Sequence, residues 1–78
     1  MEDREIMGVA NKFRHHPPVG DQAAQYELLR AEGLDFAMVI LGECPLSEER
    51  NIALRRLDEA VMFAIASIAR HGEWEKEV

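Results

Sequence analysis

The sequence predicts an all-α fold: a short N-terminal helix, then a long antiparallel helical hairpin, assembled into a symmetric oligomer. Three observations point there. Apolar residues recur at spacings of three and four along two long stretches. The breaks between stretches are marked by proline, at Pro17-Pro18 and at Pro45. Aromatics make up only 6% of the chain, too few for a sandwich or barrel core. Seventy-eight residues allow one domain, 1–78, with little core of its own. Cys44 is the single cysteine, so neither an internal disulfide nor a cysteine-built zinc site can supplement that core. Association with copies of the same chain is the remaining route, and 47% hydrophobic residues are enough for a core plus an interface.

Residues 1–19 comprise a helix over 3–13 and a Pro-rich loop. Ile6, Met7, Val9 and Phe13 form the helix's apolar set, weakly amphipathic and interrupted by Gly8. Pro17 and Pro18 lack N–H donors and extend the residues before them, so 14–20 is not helical. A second helix spans 20–43 with Asp21 as N-cap. Tyr26, Leu29, Gly33, Phe36, Ala37 and Ile40 make one stripe, and Leu34, Met38 and Leu41 an adjoining one. Gly33 and Gly42 are weak points costing about 1 kcal/mol each relative to Ala. Residues 44–46 form the turn. A third helix spans 47–71, capped by Ser47, with Glu48 and Glu49 favoured by the helix dipole. Leu54, Leu57, Val61, Ala64, Ile65 and Ile68 form its main stripe, with Ile52, Met62 and Phe63 off it. Gly72 is the stop signal, and 72–78 reads as a frayed tail carrying Trp74. The short turn makes the long helices antiparallel. Two helices cannot bury two apolar faces each, so the surplus faces must meet another chain or the N-terminal segment.

The net charge of −6 argues against a sequence-blind DNA or RNA partner, which needs a basic face. It leaves room for a small anion in a local cationic pocket. No run reaches the ~18 apolar residues of a membrane span. The acidic opening residues do not read as a secretory leader, and a free thiol suits the cytosol. Lys12, Arg14, His15 and His16, beside a helix N-terminus at 21–24, could hold phosphate, or could be a solvated linker before a helix cap. Arg30, Arg50, Arg55 and Arg56 could converge at an oligomer axis, or make ordinary surface pairs such as Arg50 with Glu49 and Arg55 with Glu59. Adjacent His15 and His16 diverge, and no third ligand follows at metal-binding spacing. Asp58-Glu59 reads as a solvated face, and Ser67 and Cys44 have no base partner. The residues indicate no catalytic group, no metal and no cofactor.

Two stretches resemble a known family. His16-Pro17-Pro18-Val19-Gly20-Asp21-Gln22, followed by Tyr26 and Arg30, resembles the phage and prophage pattern His-Pro-Pro-Lys-Gly-Asp-Gln…Tyr…Arg. Cys44-Pro45-Leu46-Ser47-Glu48-Glu49-Arg50, then Ala53-Leu54-Arg55-Arg56-Leu57-Asp58-Glu59-Ala60-Val61-Met62-Phe63-Ala64 and Ser67-Ile68-Ala69-Arg70, resembles Cys-Pro-x-Ser-Arg-Glu…Ala-Leu-Thr-Lys-Leu-Glu-Glu-Ala-Val-Met-Trp-Ala…Ile-Ala-Arg. Together they resemble the hairpin domain of the anti-CBASS and anti-Thoeris sponge proteins of phages.

The resemblance implies a symmetric homo-oligomer, often a hexamer, in the host bacterial cytoplasm. It implies that cyclic di- or trinucleotides, or ADP-ribose-type signals, are bound without being cleaved. On this reading Phe13, His15, His16, Gly20, Asp21, Tyr26 and Arg30 line the nucleotide pocket. His15, His16 and Arg30 hold phosphates, and Phe13 or Tyr26 stacks a base. Arg50, Arg55 and Arg56 would form a second anion site. Val19 stands where the pattern has Lys, Glu48 where it has Arg, and Phe63 where it has Trp; Arg55-Arg56 replaces Thr-Lys. The alternative is a small phage or prophage module that blocks a host protein through its helical faces. A structural subunit of a phage particle is a third reading.

Overall fold

The structure, a computed structural model, describes residues 2–75, with side chains through residue 72. The described residues form three helices and no strand: α1 Asp3–Phe13, α2 Gln22–Glu43 and α3 Glu48–Glu75. The expected all-helical hairpin is therefore present, and α1 has the expected bounds.

The link between α2 and α3 is short because both helix ends are satisfied locally. Cys44 N–H donates to Ile40 O at 2.9 Å, closing α2. Ser47 Oγ accepts from Arg50 N–H at 3.1 Å and donates to Pro45 O at 3.1 Å. That is the N-cap expected of serine, tied back to the proline turn. The helices then run antiparallel, with Gly33 against Val61 midway and Gln22 against Ile68 and Gly72 at the open end.

Gly33 has a packing reason. A Cβ there would lie 2.6 Å from Val61 Cγ2, so the bare backbone lets the helices approach. Val61 cannot easily yield, because a β-branched side chain on a helix is held in one rotamer. The α3 stripe of Leu54, Leu57, Val61, Ala64, Ile65 and Ile68 is half-buried along this seam. On α2 the seam takes Tyr26 and Ile40, both buried, with Leu29, Gly33 and Ala37 half-buried. Phe36, expected in the same stripe, is instead 56% exposed. It lies on the flank of the seam, bordering a shallow groove with Ala60 and Ala64 of α3.

Two other expectations are corrected. Gly72 does not stop α3, which continues to Glu75. A Cβ on Gly72 would lie 2.8 Å from Gln22 Nε2, so the glycine makes room for the Gln22 amide. The predicted tail 72–78 is thus helical as far as Glu75; the Trp74 side chain and residues 76–78 lie outside the described residues. Asp21 precedes α2 but its side chain makes no capping bond, because its backbone (φ −83°, ψ 4°) belongs to a turn and lacks the extended cap geometry.

The chain is elongated, 49 × 32 × 23 Å, with a radius of gyration of 16.1 Å. A compact domain of this length would have about 11–12 Å. Leu28, Leu34, Met38, Val39, Met62 and Phe63 are all exposed, and α1 contains no buried residue. The described chain leaves uncovered the surplus faces that its sequence pattern requires.

Replacing Gly33 by Leu forces the seam apart and is expected to cost about 1–3 kcal/mol, as overpacking does. Gly8→Ala meets open space in α1 and is expected to be neutral or stabilising by up to ~1 kcal/mol. Denaturant unfolding of both variants at one fixed protein concentration checks the pair.

Candidate functional site

The loop between α1 and α2 is held by one side chain. Val19 and Gln22 exchange two bonds: Gln22 N–H donates to Val19 O at 3.0 Å, and Val19 N–H donates to Gln22 Oε1 at 3.0 Å. The turn between them has Gly20 at φ +56° and Asp21 at φ −83°, ψ 4°, the values of a type II′ turn. A positive φ at its first central position calls for glycine. Gln22 is buried, and its Nε2 crosses the hairpin to donate to Ile68 O at 3.3 Å. This amide therefore ties the Pro-Pro loop to the end of α3.

A second tie comes from α1. Asn11 Nδ2 donates to Arg70 O at 3.4 Å, while Asn11 Oδ1 accepts from Arg14 Nη2 at 3.1 Å. His16 Nε2 lies 2.8 Å from Asn11 O. A carbonyl only accepts, so His16 carries its proton on Nε2, and Nδ1 is the other ring nitrogen.

These ties enclose a recess of about 220 Å³ lined by Arg14, His15, His16, Pro17, Val19, Gln22, Ala69 and Arg70. Two arginines and two histidines line it and no carboxylate does, although the chain as a whole carries −6. Such a cluster suits an anion. His15 and His16, expected from the basic cluster, both line the recess. Arg14, from the same basic cluster, lines it too; Gln22 and Arg70 were not among the expected site residues. Gln22 stood in the quoted motif without a role; Arg70 is brought in from 54 residues further along the sequence than His16 only by the hairpin.

The other expected residues are not in this recess. Phe13 ends α1 and is 87% exposed. Tyr26 is one turn along α2 from Gln22, 8% exposed, with its hydroxyl buried and without a hydrogen-bond partner. Arg30 is a further turn along, its Cζ 6.0 Å from the centre of the Tyr26 ring and its side chain 58% exposed. Its contact with Glu27 is long, 4.0 Å. Arg30 also borders a separate groove of about 540 Å³ on the hairpin face, lined by residues such as Leu34, Leu54, Asp58, Met62 and Ile65. Within one chain the expected pocket residues fall in two regions along α2. Gly20 and Asp21 shape the turn and make no side-chain contribution to the recess. The N–H of Gln22, within the helix start read as an anion seat, is already taken by Val19 O.

Arg50, Arg55 and Arg56 do not converge within one chain. At about 100° per residue they point roughly 100–140° apart around α3. Arg50 Nε is buried without a partner, Arg55 is exposed, and Arg56 pairs with Glu59 at 2.7 Å. The expected Arg55–Glu59 pair is thus taken by Arg56, three residues from Glu59. Among the described residues no group of three or more His, Cys, Asp or Glu could hold a metal, and no helix is long and apolar enough to cross a membrane.

Gln22→Met leaves the Val19 N–H unpaired, removes the tie to Ile68 O, and is expected to cost about 1–3 kcal/mol. Gln22→Glu keeps the acceptor for Val19 but sets an oxygen against Ile68 O. Faster hydrogen exchange at the Val19 amide in the Met variant, with protection largely kept in the Glu variant, is the expected result.

A model of the Acb2/Tad1 hairpin domain matches residues 5–69 of the 78. Neither a curated protein nor a solved structure gives a match. The match spans α1, the recess loop and the hairpin seam, and with it the chain belongs to the Acb2/Tad1 hairpin family, that of the anti-CBASS and anti-Thoeris sponge proteins.

Proposed function

We propose that this protein is a non-catalytic sponge that sequesters a cyclic di- or trinucleotide, or a related nucleotide signal of host anti-phage defence, in the cytoplasm of the infected bacterium. The observation that carries the reading is the recess: Arg14, His15, His16 and Arg70 gathered without a carboxylate on an acidic chain. The two guanidinium groups so placed take phosphate oxygens by charge-assisted hydrogen bonds, each worth about 1.5–3 kcal/mol. Tyr26, its hydroxyl unpaired, and Arg30 above its ring offer a second wall for a base and a phosphate.

Size adds to the reading. The recess holds about 220 Å³, below the ~300–1,000 Å³ of pockets that enclose small ligands. One chain supplies a phosphate seat, and a neighbouring copy supplies the remaining wall. The reading therefore includes a symmetric homo-oligomer, the hexamer that the family resemblance implies. Sequestration needs no nucleophile. Ser67 is exposed, and Cys44 is exposed at the hairpin turn, the opposite end from the recess.

The exposed apolar faces favour one other reading, a module that covers a host protein. It predicts a co-purifying protein and no nucleotide affinity.

Calorimetric titration with a panel of cyclic di- and trinucleotides separates the two. Saturable binding is expected, with intact ligand recovered after heat denaturation. Arg70→Ala and Arg14→Ala are each expected to weaken binding about tenfold or more, the loss of one charge-assisted bond. Arg30→Ala is expected to abolish binding while the oligomer keeps its mass. A well-folded oligomer that binds nothing in the panel or among ADP-ribose signals rejects the sponge.

A further inference from the structure

We propose that His16 meets a phosphate only as the imidazolium, so that capture of an anion in the recess takes up one proton from solvent at this ring. The inference rests on the reading of the recess as a phosphate seat.

The first ground is the fixed tautomer. His16 Nε2 lies 2.8 Å from Asn11 O, and a carbonyl oxygen only accepts, so Nε2 carries a proton and points it there. In the neutral ring Nδ1 is then a bare lone pair. It is also the one polar atom that the ring has left for an anion, and a lone pair repels a phosphate oxygen. A second proton turns Nδ1 into a donor and the ring into a cation, and the bond to Asn11 is kept.

The second ground is what holds that bond. α1 ends at Phe13, so the Asn11 carbonyl has no partner four residues on within the helix. Its main-chain partner is the Arg14 N–H, at a long 3.4 Å, and His16 supplies the short bond. The Asn11 side chain is held as well. Its Nδ2 donates to Arg70 O at 3.4 Å, and its Oδ1 accepts from Arg14 Nη2 at 3.1 Å. One residue thus fixes the His16 ring relative to α1, the loop and α3. A helix C-terminus favours positive charge, so the charged ring suits the same bond.

The third ground is the surroundings. Arg14 and His15 from the loop and Arg70 from α3 line the recess with His16. Gln22 of α2, which lines it, and Asn11 of α1, which holds the ring, are uncharged. No carboxylate lines the recess, and His71, next after Arg70, lies outside the lining. The counter-charge of the imidazolium is therefore the phosphate itself. His15 differs: its ring makes no hydrogen bond among the described residues. Either of its nitrogens can carry the donor proton, and the neutral ring suffices.

Wherever free His16 is neutral, the bound state holds one proton more than the free state. Affinity then falls as pH rises through the histidine range and levels off below it.

Calorimetric titration with the cyclic di- and trinucleotide panel and ADP-ribose tests this between about pH 6 and 8, where histidine titrates and phosphodiesters do not. Each titration is run in two buffers of different ionisation heat, which counts the protons taken up. The expected result is uptake approaching one proton per recess toward the upper end of the range, with affinity there about tenfold or more lower than at the lower end. His16→Gln keeps a donor for Asn11 O and is expected to bind more weakly, without uptake and with a flat pH profile. His15→Gln and His71→Gln are expected to keep both the uptake and the slope. In nitrogen NMR of the ring, His16 Nδ1 is expected to pass from unprotonated to protonated on binding. Binding without uptake, uptake that survives in His16→Gln, or an Nδ1 that stays bare in the complex overturns the inference and leaves the sponge reading intact. No binding of any of these nucleotides at any pH rejects the sponge reading and this inference with it.

Discussion

Gly33 lets α2 and α3 meet at near backbone contact over Val61, and this seam is nearly all the burial that two helices can give. The rest of the molecule follows from its narrowness. One seam takes one stripe from each helix. Tyr26 and Ile40 are buried in it from α2, and α3 contributes half-buried leucines, isoleucines and Val61. Leu34, Met38, Met62 and Phe63 have no place on it. A single hydrophobic core in so short a chain gives only a few kcal/mol. The proposed assembly supplies what the seam lacks.

The same seam builds the recess beside the Pro-Pro loop. Antiparallel register brings the end of α3 back to the start of α2, and Gln22 spans the join. Its amide bonds the Pro-Pro loop on one side and the Ile68 carbonyl on the other, in space that Gly72 leaves open. Arg14, His15, His16 and Arg70 then share one hollow. The recess is a consequence of helix registry, and a hairpin slipped by one turn would part Arg70 from Arg14 and the two histidines. The recess and the packing are coupled through one buried polar side chain, whose loss leaves the Val19 N–H unpaired and cuts the loop's tie to α3.

Much of the fold was legible in the sequence because helical periodicity and proline breaks are local signals. The α3 stripe, the Ser47 cap and the bounds of α1 follow from neighbours within a few residues. Features set by distant residues were not legible. Gly72 reads as a helix stop until Gln22 is placed beside it, fifty residues earlier in the chain. Gly33 reads as a weakness until Val61 faces it. Asp21 reads as a cap because its type favours that role, yet the turn formed by Gly20 sets its backbone otherwise. Of the residues that line the recess, Arg14, His15 and His16 belong to a basic cluster visible in the sequence. Arg70 is brought to the recess only once the hairpin closes.

The central claim is that this chain is stable as an assembly whose subunits share their apolar faces. Thermal melting of helicity over a roughly hundredfold range of protein concentration tests it most directly, since association raises the midpoint by mass action. The account predicts a midpoint that climbs steadily with concentration, and loss of helix as the protein is diluted. A midpoint that does not move, in a preparation that light scattering shows to be a folded monomer throughout, would contradict it.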